Sequence, residues 1–142
     1  MIKFNIPLEP ISKKNSQRIL LNPRTRKPFI MPSEKYKQYE RDAAHFLSMV
    51  NVWDAPIKAP VNIKCEFYMK TRRRVDLTNL LEAIDDILVK YGVLEDDNYN
   101  IIVSHDGSRV YYDKENPRTV VEITAAKDAP RAAGDKAAAG SR

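Results

Sequence analysis

Residues 61–93 read VNIKCEFYMKTRRRVDLTNLLEAIDDILVKYGV and contain two segments with different apolar periodicities. In the first ten residues apolar and polar side chains alternate, which predicts a strand with one buried face. From Leu77 onward the apolar residues fall within a stripe of about 120° on a helical projection, which predicts an amphipathic helix over 77–90 that ends before Gly92. The apolar strand face comprises Val61, Ile63, Cys65, Phe67 and Met69, and the helical stripe comprises Leu77, Leu80, Leu81, Ile84, Ile87 and Leu88.

Patterns on either side complete the predicted order of elements. IKFNIPL (2–8) alternates as a first strand does, and LLNPRTRKPFIM (20–31) places two apolar runs around a basic turn, as in an exposed hairpin. Ser33 precedes an amphipathic stretch, which predicts a helix over 34–50 with Ser33 as its N-cap. IIVSHD, SRVYYD and RTVVEIT predict two or three further strands joined by the turns DGS and KENP. This order predicts a single compact α/β domain in which a mixed β-sheet packs with two main helices.

Length and composition restrict the class of protein. The 142 residues suffice for one core, which we place in a domain over 1–126. Residues 127–142 are rich in alanine and lysine and offer no large apolar side chain, so we expect a disordered tail there. No apolar segment is long enough for a signal peptide or a membrane span, and the single cysteine cannot form an intrachain disulfide. These features indicate a protein of the reducing cytoplasm that does not enter membranes.

The charges are segregated along the chain. Residues 1–74 carry 16 Lys and Arg against 6 Asp and Glu, whereas residues 75–98 carry one Lys against 7 acids. A nuclease needs a basic surface that attracts phosphates and carboxylates that bind metal ions, and this distribution could supply both. A solvated basic face beside an ordinary acidic helix would account for the same composition, so charge alone leaves both interpretations open.

The acidic residues that could carry chemistry are Asp76, Glu82 and Asp97, with Asp96 beside the last. Asp76 could instead cap the helix that follows it. If Asp76, Glu82 and Asp97 met within about 6 Å, each pair would repel by roughly 3 kcal/mol at an effective dielectric constant of about 20. Mg²⁺ bound through carboxylates, phosphate oxygens and water would compensate that repulsion.

Other kinds of site do not fit the sequence. A calcium loop starting at Asp96 would need Gly at its sixth position and Glu at its twelfth, but Ile101 and Gly107 stand there. The two histidines, His45 and His105, lack a second Cys or His at zinc-ligand spacing, so we interpret both as surface or hydrogen-bonded residues. The chain contains no GxSxG, GxxxxGK or GxGxxG motif, which argues against serine hydrolases, P-loop NTPases and dinucleotide-binding enzymes.

Residues 72–98, RRRVDLTNLLEAIDDILVKYGVLEDDN, resemble the signature of RusA-type Holliday junction resolvases. That signature is a basic stretch, Asp-x-Asp-Asn, a Lys three residues later, an Asp four residues after it, a Gly and an Asp-Asp pair. The resemblance implies a small α/β, homodimeric endonuclease, often phage-encoded, that uses Mg²⁺, with Mn²⁺ as an alternative, to nick four-way DNA junctions. By position, Asp76 matches the first metal-binding aspartate, Asn79 the asparagine, Asp86 the acid later in the helix, and Asp97 the closing pair's aspartate.

Two positions depart from that signature. Thr78 stands where the family has its second aspartate, and Glu82 stands where it has a lysine that acts at the scissile phosphate. Positions 78 and 82 are neighbours one helical turn apart, so a carboxylate gained at one can replace the carboxylate lost at the other. Our hypothesis is that Asp76, Glu82 and Asp97 bind Mg²⁺, while the metal or an arginine of residues 72–74 stabilises the transition-state charge.

The basic residues are candidate contacts to the phosphates of branched DNA, since such contacts position DNA without reading its sequence. A two-fold homodimer would present two sites to a junction whose arms are two-fold related. Two alternatives remain at this stage: a DNA-binding protein of the same fold that lost catalysis through Thr78 and Glu82, and an RNA-binding protein, which the missing RRM and KH signatures disfavour. The candidate DNA contacts are Lys13, Lys14, Asn15, Arg18, Arg24, Arg26, Lys27, Arg72, Arg73 and Arg74.

Overall fold

The computed structural model of the chain describes residues 1–13, 17–50, 52 and 55–126, with the backbone alone at Gln17, Arg18 and Pro32. The predicted tail over 127–142 and two predicted DNA contacts, Lys14 and Asn15, lie outside these residues, as does the side chain of Arg18.

The described residues form two helices and seven strands, in the predicted order. The first helix ends earlier than the 34–50 predicted, and the last three segments each form a strand. The elements are β1 (Ile2–Ile6), β2 (Gln17–Leu21), β3 (Pro28–Pro32), α1 (Glu34–Leu47), β4 (Val61–Met69), α2 (Leu77–Lys90), β5 (Ile102–Ser104), β6 (Arg109–Tyr112) and β7 (Arg118–Ala125).

The main sheet is mixed, as predicted. β7 lies between β1 and β4 and pairs with both in antiparallel register, from Ile2↔Ile123 on one side to Ile63↔Ile123 on the other. β4 also pairs in parallel with β5 at its start and with β6 at its end, where Tyr68 lies opposite Tyr111. β2 and β3 pair with each other in a separate two-stranded sheet.

The core lies between one face of the main sheet and the two helices. Along β4, Val61, Ile63, Cys65 and Phe67 are buried and their neighbours are half-buried, which confirms the predicted alternation; Met69 is only partly buried. Burial raises the pKa of the Cys65 thiol far above its usual value, so this cysteine is an inert core residue. The apolar stripe of α2 packs in the same cluster, through Leu80, Leu81, Ala83, Ile84, Ile87 and Leu88.

The N-terminus of α1 is capped as predicted: the Ser33 hydroxyl oxygen accepts the backbone N–H of Tyr36 at 3.1 Å. Within the residues described, no helix reaches the length and apolar character that crossing a bilayer would require.

Candidate active site

The connection between β4 and α2 places a basic segment directly before the first candidate site residue. The carbonyl oxygen of Met69 accepts the backbone N–H of Asp113 at 2.8 Å, which ties the end of β4 to the end of β6. Arg72–Arg74 follow and are exposed, and Asp76 then begins α2 as its N-cap. An open cleft of about 400 Å³ runs along this segment and is lined by Arg73, Arg74 and Lys35, among others. Basic side chains therefore border the approach to Asp76.

Asp76 does not use its carboxylate to cap α2. Its backbone is extended, with φ −89° and ψ 126°, and its carbonyl oxygen accepts the N–H of Leu80 at 3.2 Å. A capping aspartate accepts a backbone N–H of the first turn through its side chain, and this turn contains no such bond. Instead, the side-chain amide of Asn79 donates to Asp76 Oδ2 at 3.2 Å. The capping interpretation is therefore wrong, and the exposed carboxylate is available to a ligand.

Thr78 and Glu82 lie on the exposed side of α2, opposite its buried stripe. Because they are four residues apart, their side chains are neighbours on the helix surface. α2 therefore presents the Thr78 hydroxyl and the Glu82 carboxylate to solvent one turn apart, which is the geometry that an exchange of ligand between the two positions requires.

Asp96 and Asp97 follow α2 and differ in their surroundings. Asp96 accepts the backbone N–H of Asp97 at 2.7 Å and the side-chain amide of Asn98 at 3.0 Å, and these bonds lower the pKa of Asp96. The pKa of Asp97 is raised by its partial burial, by its hydrogen bond with Asp96, and by the negative charges of Asp86 and Asp96. Asp96 therefore stabilises its own turn, whereas Asp97 lies in a negative field that a bound cation would relieve.

A half-buried pair, Asp85 and His105, lies beside this acidic region. His105 Nδ1 is 2.8 Å from the carbonyl oxygen of Ile63, and His105 Nε2 is 2.8 Å from Asp85 Oδ2. Since a carbonyl oxygen can only accept, Nδ1 carries a proton, and Nε2 and Asp85 share the next one. The other carboxylate oxygen, Asp85 Oδ1, is buried and has no hydrogen-bond partner among the described residues.

Burial and the interaction between the two partners shift each pKa in opposite directions. Burial lowers the pKa of His105, but the hydrogen bond and charge of Asp85 outweigh it, so the net shift is upward. Burial raises the pKa of Asp85, His105 offsets only part of this shift, and Asp97 and Asp86 add to it. The hydrogen bond from Nδ1 to the Ile63 carbonyl oxygen orients the ring so that Nε2 faces the Asp85 carboxylate, and this arrangement stabilises the protonated imidazole.

Asp86, the position that the resemblance places later in the helix, pairs with a predicted DNA contact. Lys13 Nζ lies 3.3 Å from Asp86 Oδ2 and 5.9 Å from the ring centre of Tyr36. Lys13 therefore neutralises part of the acidic region from the segment after β1, and binding of Lys13 to phosphate would have to compete with this pair.

No three Asp, Glu, His or Cys side chains among the described residues group closely enough to hold a metal ion by themselves. The common ligand set of Asp76, Glu82 and Asp97 thus stays a prediction. Mg²⁺ ordinarily takes only one or two protein carboxylates and completes its shell with substrate phosphates and water. One or two of these carboxylates would therefore suffice to bind the ion together with phosphate and water.

Apart from Lys13, the predicted DNA contacts whose side chains the structure describes fall in two places. Arg24, Arg26 and Lys27 are exposed at the tip of the β2–β3 hairpin, and Arg72–Arg74 are exposed beside Asp76. The guanidinium of Arg72 lies 4.1 Å from the ring centre of Tyr112, which holds it near the end of β6.

Asp76 therefore lies exposed at the start of α2 beside a basic segment, and Asp97 lies exposed after the end of the same helix. The model of the RusA endodeoxyribonuclease family matches residues 7–124. The chain belongs to the RusA endodeoxyribonuclease family. A search of curated proteins found no match. Nucleases of the RusA family act on branched DNA and generally depend on a divalent metal.

Sequence reasoning missed the Asp85–His105 pair. Asp85 borders the leucine stripe of α2 instead of facing away from it. From this position on the helix, partial burial of Asp85 could have been predicted. Its partner comes from the loop after β5, twenty residues away in sequence, and nothing local indicates that pairing. The interpretation of His105 as a hydrogen-bonded residue is confirmed.

Proposed function

We propose that this protein is a Mg²⁺-dependent, structure-selective endodeoxyribonuclease that resolves four-way (Holliday) DNA junctions by hydrolysing phosphodiester bonds. Membership of the RusA family supports the reaction class. The observation that carries the proposal to named residues is Asp76, whose exposed carboxylate does not cap its own helix and lies two residues after the last of three consecutive arginines. A carboxylate beside a phosphate-attracting segment is the arrangement that metal-assisted hydrolysis of DNA requires.

The donor set fits a hard divalent cation. Asp76, Glu82 and Asp97 offer carboxylate oxygens, which suit Mg²⁺ and also Mn²⁺. A cation would also stabilise the ionised form of Asp97, whose pKa is raised by desolvation, by its hydrogen bond with Asp96 and by the charges of Asp86 and Asp96. When bound, the metal would activate water and stabilise the charge that develops on the phosphate. Asp96 would position Asp97 through the hydrogen bond that it accepts from the Asp97 N–H.

The remaining residues bind and orient the DNA. Arg72–Arg74 would hold the phosphates that flank the scissile bond, and one of these arginines would cover the charge for which the family uses lysine at position 82. Asn79 fixes the orientation of the Asp76 carboxylate by donating to its Oδ2 at 3.2 Å. Thr78 contributes at most a hydroxyl contact to water or substrate. No covalent protein nucleophile is needed in this reaction.

We further propose that the protein acts as a two-fold homodimer in the cytoplasm of a bacterium or a phage-infected cell. A dimer would present two equivalent sites to the two-fold related strands of a junction. The buried, reduced Cys65 suits a reducing compartment.

One observation favours a second candidate, a junction-binding protein of this fold with impaired catalysis. The described residues do not group three metal-ligating side chains, and Thr78 and Glu82 both depart from the family signature. The basic segments would still bind DNA in such a protein.

A cleavage assay separates the two. A synthetic four-way junction and a linear duplex of the same sequence are incubated with the protein, each with Mg²⁺ and with EDTA. We expect paired nicks in the junction with Mg²⁺ alone and little cleavage of the duplex. Tight junction binding with no nicking in Mg²⁺ or Mn²⁺ would establish the non-catalytic candidate instead.

A further inference from the structure

The β2–β3 hairpin is a two-stranded ribbon that stands apart from the main sheet. Ile19 lies opposite Ile30, with Leu21 two residues along on the same face. These three side chains, in the order Ile19, Ile30 and Leu21, are 74%, 61% and 61% exposed. An isolated two-stranded hairpin is only marginally stable in water, and a contiguous apolar face of this kind marks a binding surface. The ribbon therefore requires an occupant.

The charge of the ribbon indicates what that occupant is. Residues 17–32 contain four basic residues and no acidic one. Three of the cations, Arg24, Arg26 and Lys27, are exposed at the tip. A polyanion complements this element, whereas a second identical ribbon would bring like charges together.

Hydrogen bonds to Asn22 hold the backbone of the tip. Asn22 Oδ1 accepts the N–H of Arg24 at 2.9 Å, and the carbonyl oxygen of Asn22 accepts the N–H of Arg26 at 2.7 Å. Arg26 has φ +57°, a left-handed conformation that glycine or asparagine adopts more readily. An arginine in that conformation presents a cation where turn geometry alone favours a residue without a long side chain.

The dimensions of the ribbon also favour DNA. Two paired strands with their side chains are roughly 10 Å wide, and the major groove of B-DNA, at about 12 Å, admits a ribbon of that width. One face of such five-residue strands covers roughly 17 Å by 10 Å, far less than the roughly 800 Å² that each partner contributes to a stable protein interface.

We propose that the β2–β3 ribbon is a DNA-binding arm that enters the major groove of a duplex arm of the substrate. Ile19, Leu21 and Ile30 contact base edges, above all thymine methyl groups, and the cations at the tip contact the phosphates across the groove. This inference rests on the proposed function only in taking branched DNA as the substrate.

Apolar contacts and phosphate contacts respond differently to salt, which makes the proposal testable. Replacing Ile19 and Ile30 by serine should lower the affinity for a four-way junction about tenfold at every salt concentration, because less apolar area is buried while the slope of log K against log salt is unchanged. Replacing Arg24, Arg26 and Lys27 by serine should flatten that slope by roughly one unit for each phosphate that is no longer neutralised. Met49→Ser, which changes another exposed apolar residue, is the matched control and should bind normally.

A modified DNA locates the contact. Uracil in place of thymine removes the major-groove methyl groups, so it should weaken binding of the wild-type protein and have no further effect on the Ile19→Ser, Ile30→Ser variant. Circular dichroism should show an unchanged fold for each variant, since the ribbon contributes nothing to the core cluster.

Three outcomes would contradict the proposal that the ribbon is a DNA-binding arm. The serine variant could bind like wild type, the uracil DNA could bind like the thymine DNA, or sedimentation could show that the variant has lost a dimer that wild type forms. The last outcome would make a second copy of the chain the occupant. Failure of the nuclease is a separate result: a wild-type protein that never nicks DNA, but whose affinity falls as described, would retain the arm.

Discussion

Asp76 and Asp97 form no ion pair with a described residue, whereas Asp85 lies against His105 and Asp86 against Lys13. We expect Asp76→Asn and Asp97→Asn each to slow Mg²⁺-dependent nicking by about 100-fold or more, as removal of a charge-stabilising group does. Junction binding should stay equal or tighten, because a carboxylate that repels phosphate is gone. Asp42→Asn on α1 is the control. Nicking at the wild-type rate in either variant would remove that residue from the ligand set.

The exchanged pair on α2 permits a sharper test. If Glu82 supplies the carboxylate that Thr78 lacks, Glu82→Gln should be nearly as damaging as Asp76→Asn, and Thr78→Val should be mild. The variant that combines Thr78→Asp with Glu82→Lys should then nick faster than either single variant, since the two positions share one site. A double-mutant cycle of nicking rates measures the coupling. Additivity within about 0.5 kcal/mol would mean that the two positions act independently.

The Asp85–His105 pair makes stability depend on pH. The pKa of His105 is raised in the folded protein, so its stabilising contribution is fully present below the ordinary imidazole pKa of about 6.5 and is lost as the pH rises through the raised value. His105→Gln should lower the free energy of unfolding by about 1–3 kcal/mol at pH 5.5, since it leaves Asp85 buried with a poorer partner. Urea unfolding at pH 5.5 and pH 8.5 should show the wild-type advantage shrinking at the higher pH. An advantage independent of pH would show that the pKa of His105 is the same in the folded and the unfolded protein.

At the scale of elements, α1 depends on a single capping side chain. The Ser33 hydroxyl accepts the N–H of Tyr36, and Tyr36 and Tyr39 of the same helix are buried. Ser33→Ala should therefore lower the free energy of unfolding by about 1 kcal/mol, while Ser33→Asn should cost only a fraction of that. Thermal melts of the two variants against wild type measure the difference. Equal losses in both would indicate that the hydroxyl contributes something other than the cap.

Periodicity predicted the elements well because burial of one face is a local property. The alternation of β4 and the leucine stripe of α2 appear in the sequence as they do in the fold. β4 pairs with both β5 and β6 along one edge, and β1 pairs with the distant β7. These pairings depend on contacts between segments that are far apart in the sequence. No window of neighbouring residues contains that information.

The residues of the candidate site also fall into those that the sequence predicted and those that it could not. The resemblance pointed to Asp76 and Asp97, and the structure shows that the Asp76 carboxylate accepts no capping hydrogen bond from α2. The partner of Asp85 could not be predicted, because the position of His105 depends on the pairing of distant segments: the carbonyl oxygen of Ile63 in β4 accepts its Nδ1–H. A surface role for Glu82 and a ligand role look identical in sequence, since both need an exposed acid on one face of a helix.

For the whole molecule, the proposed two-fold assembly predicts how the reaction ends. A dimer with one wild-type subunit and one Asp76→Asn subunit should nick only one strand of a junction, so nicked junctions should accumulate in place of two linear duplexes. Mixed dimers carrying two different affinity tags can be purified and assayed on gels that resolve the two products. Complete resolution by the mixed dimer would show that one subunit cuts both strands in turn.

The pairing of β1 with β7 has a consequence for how the protein is made. β7 lies between β1 and β4, yet it is the last strand of the domain to leave the ribosome. Until then, β1 and β4 have no shared neighbour, and their backbone hydrogen-bonding groups face water or other chains. Pairings between residues over a hundred positions apart also slow folding, because a long loop must close before the contact forms. The nascent domain is thus most prone to aggregate before β7 has paired, and truncation within β7 would remove the strand that joins β1 to the rest of the sheet.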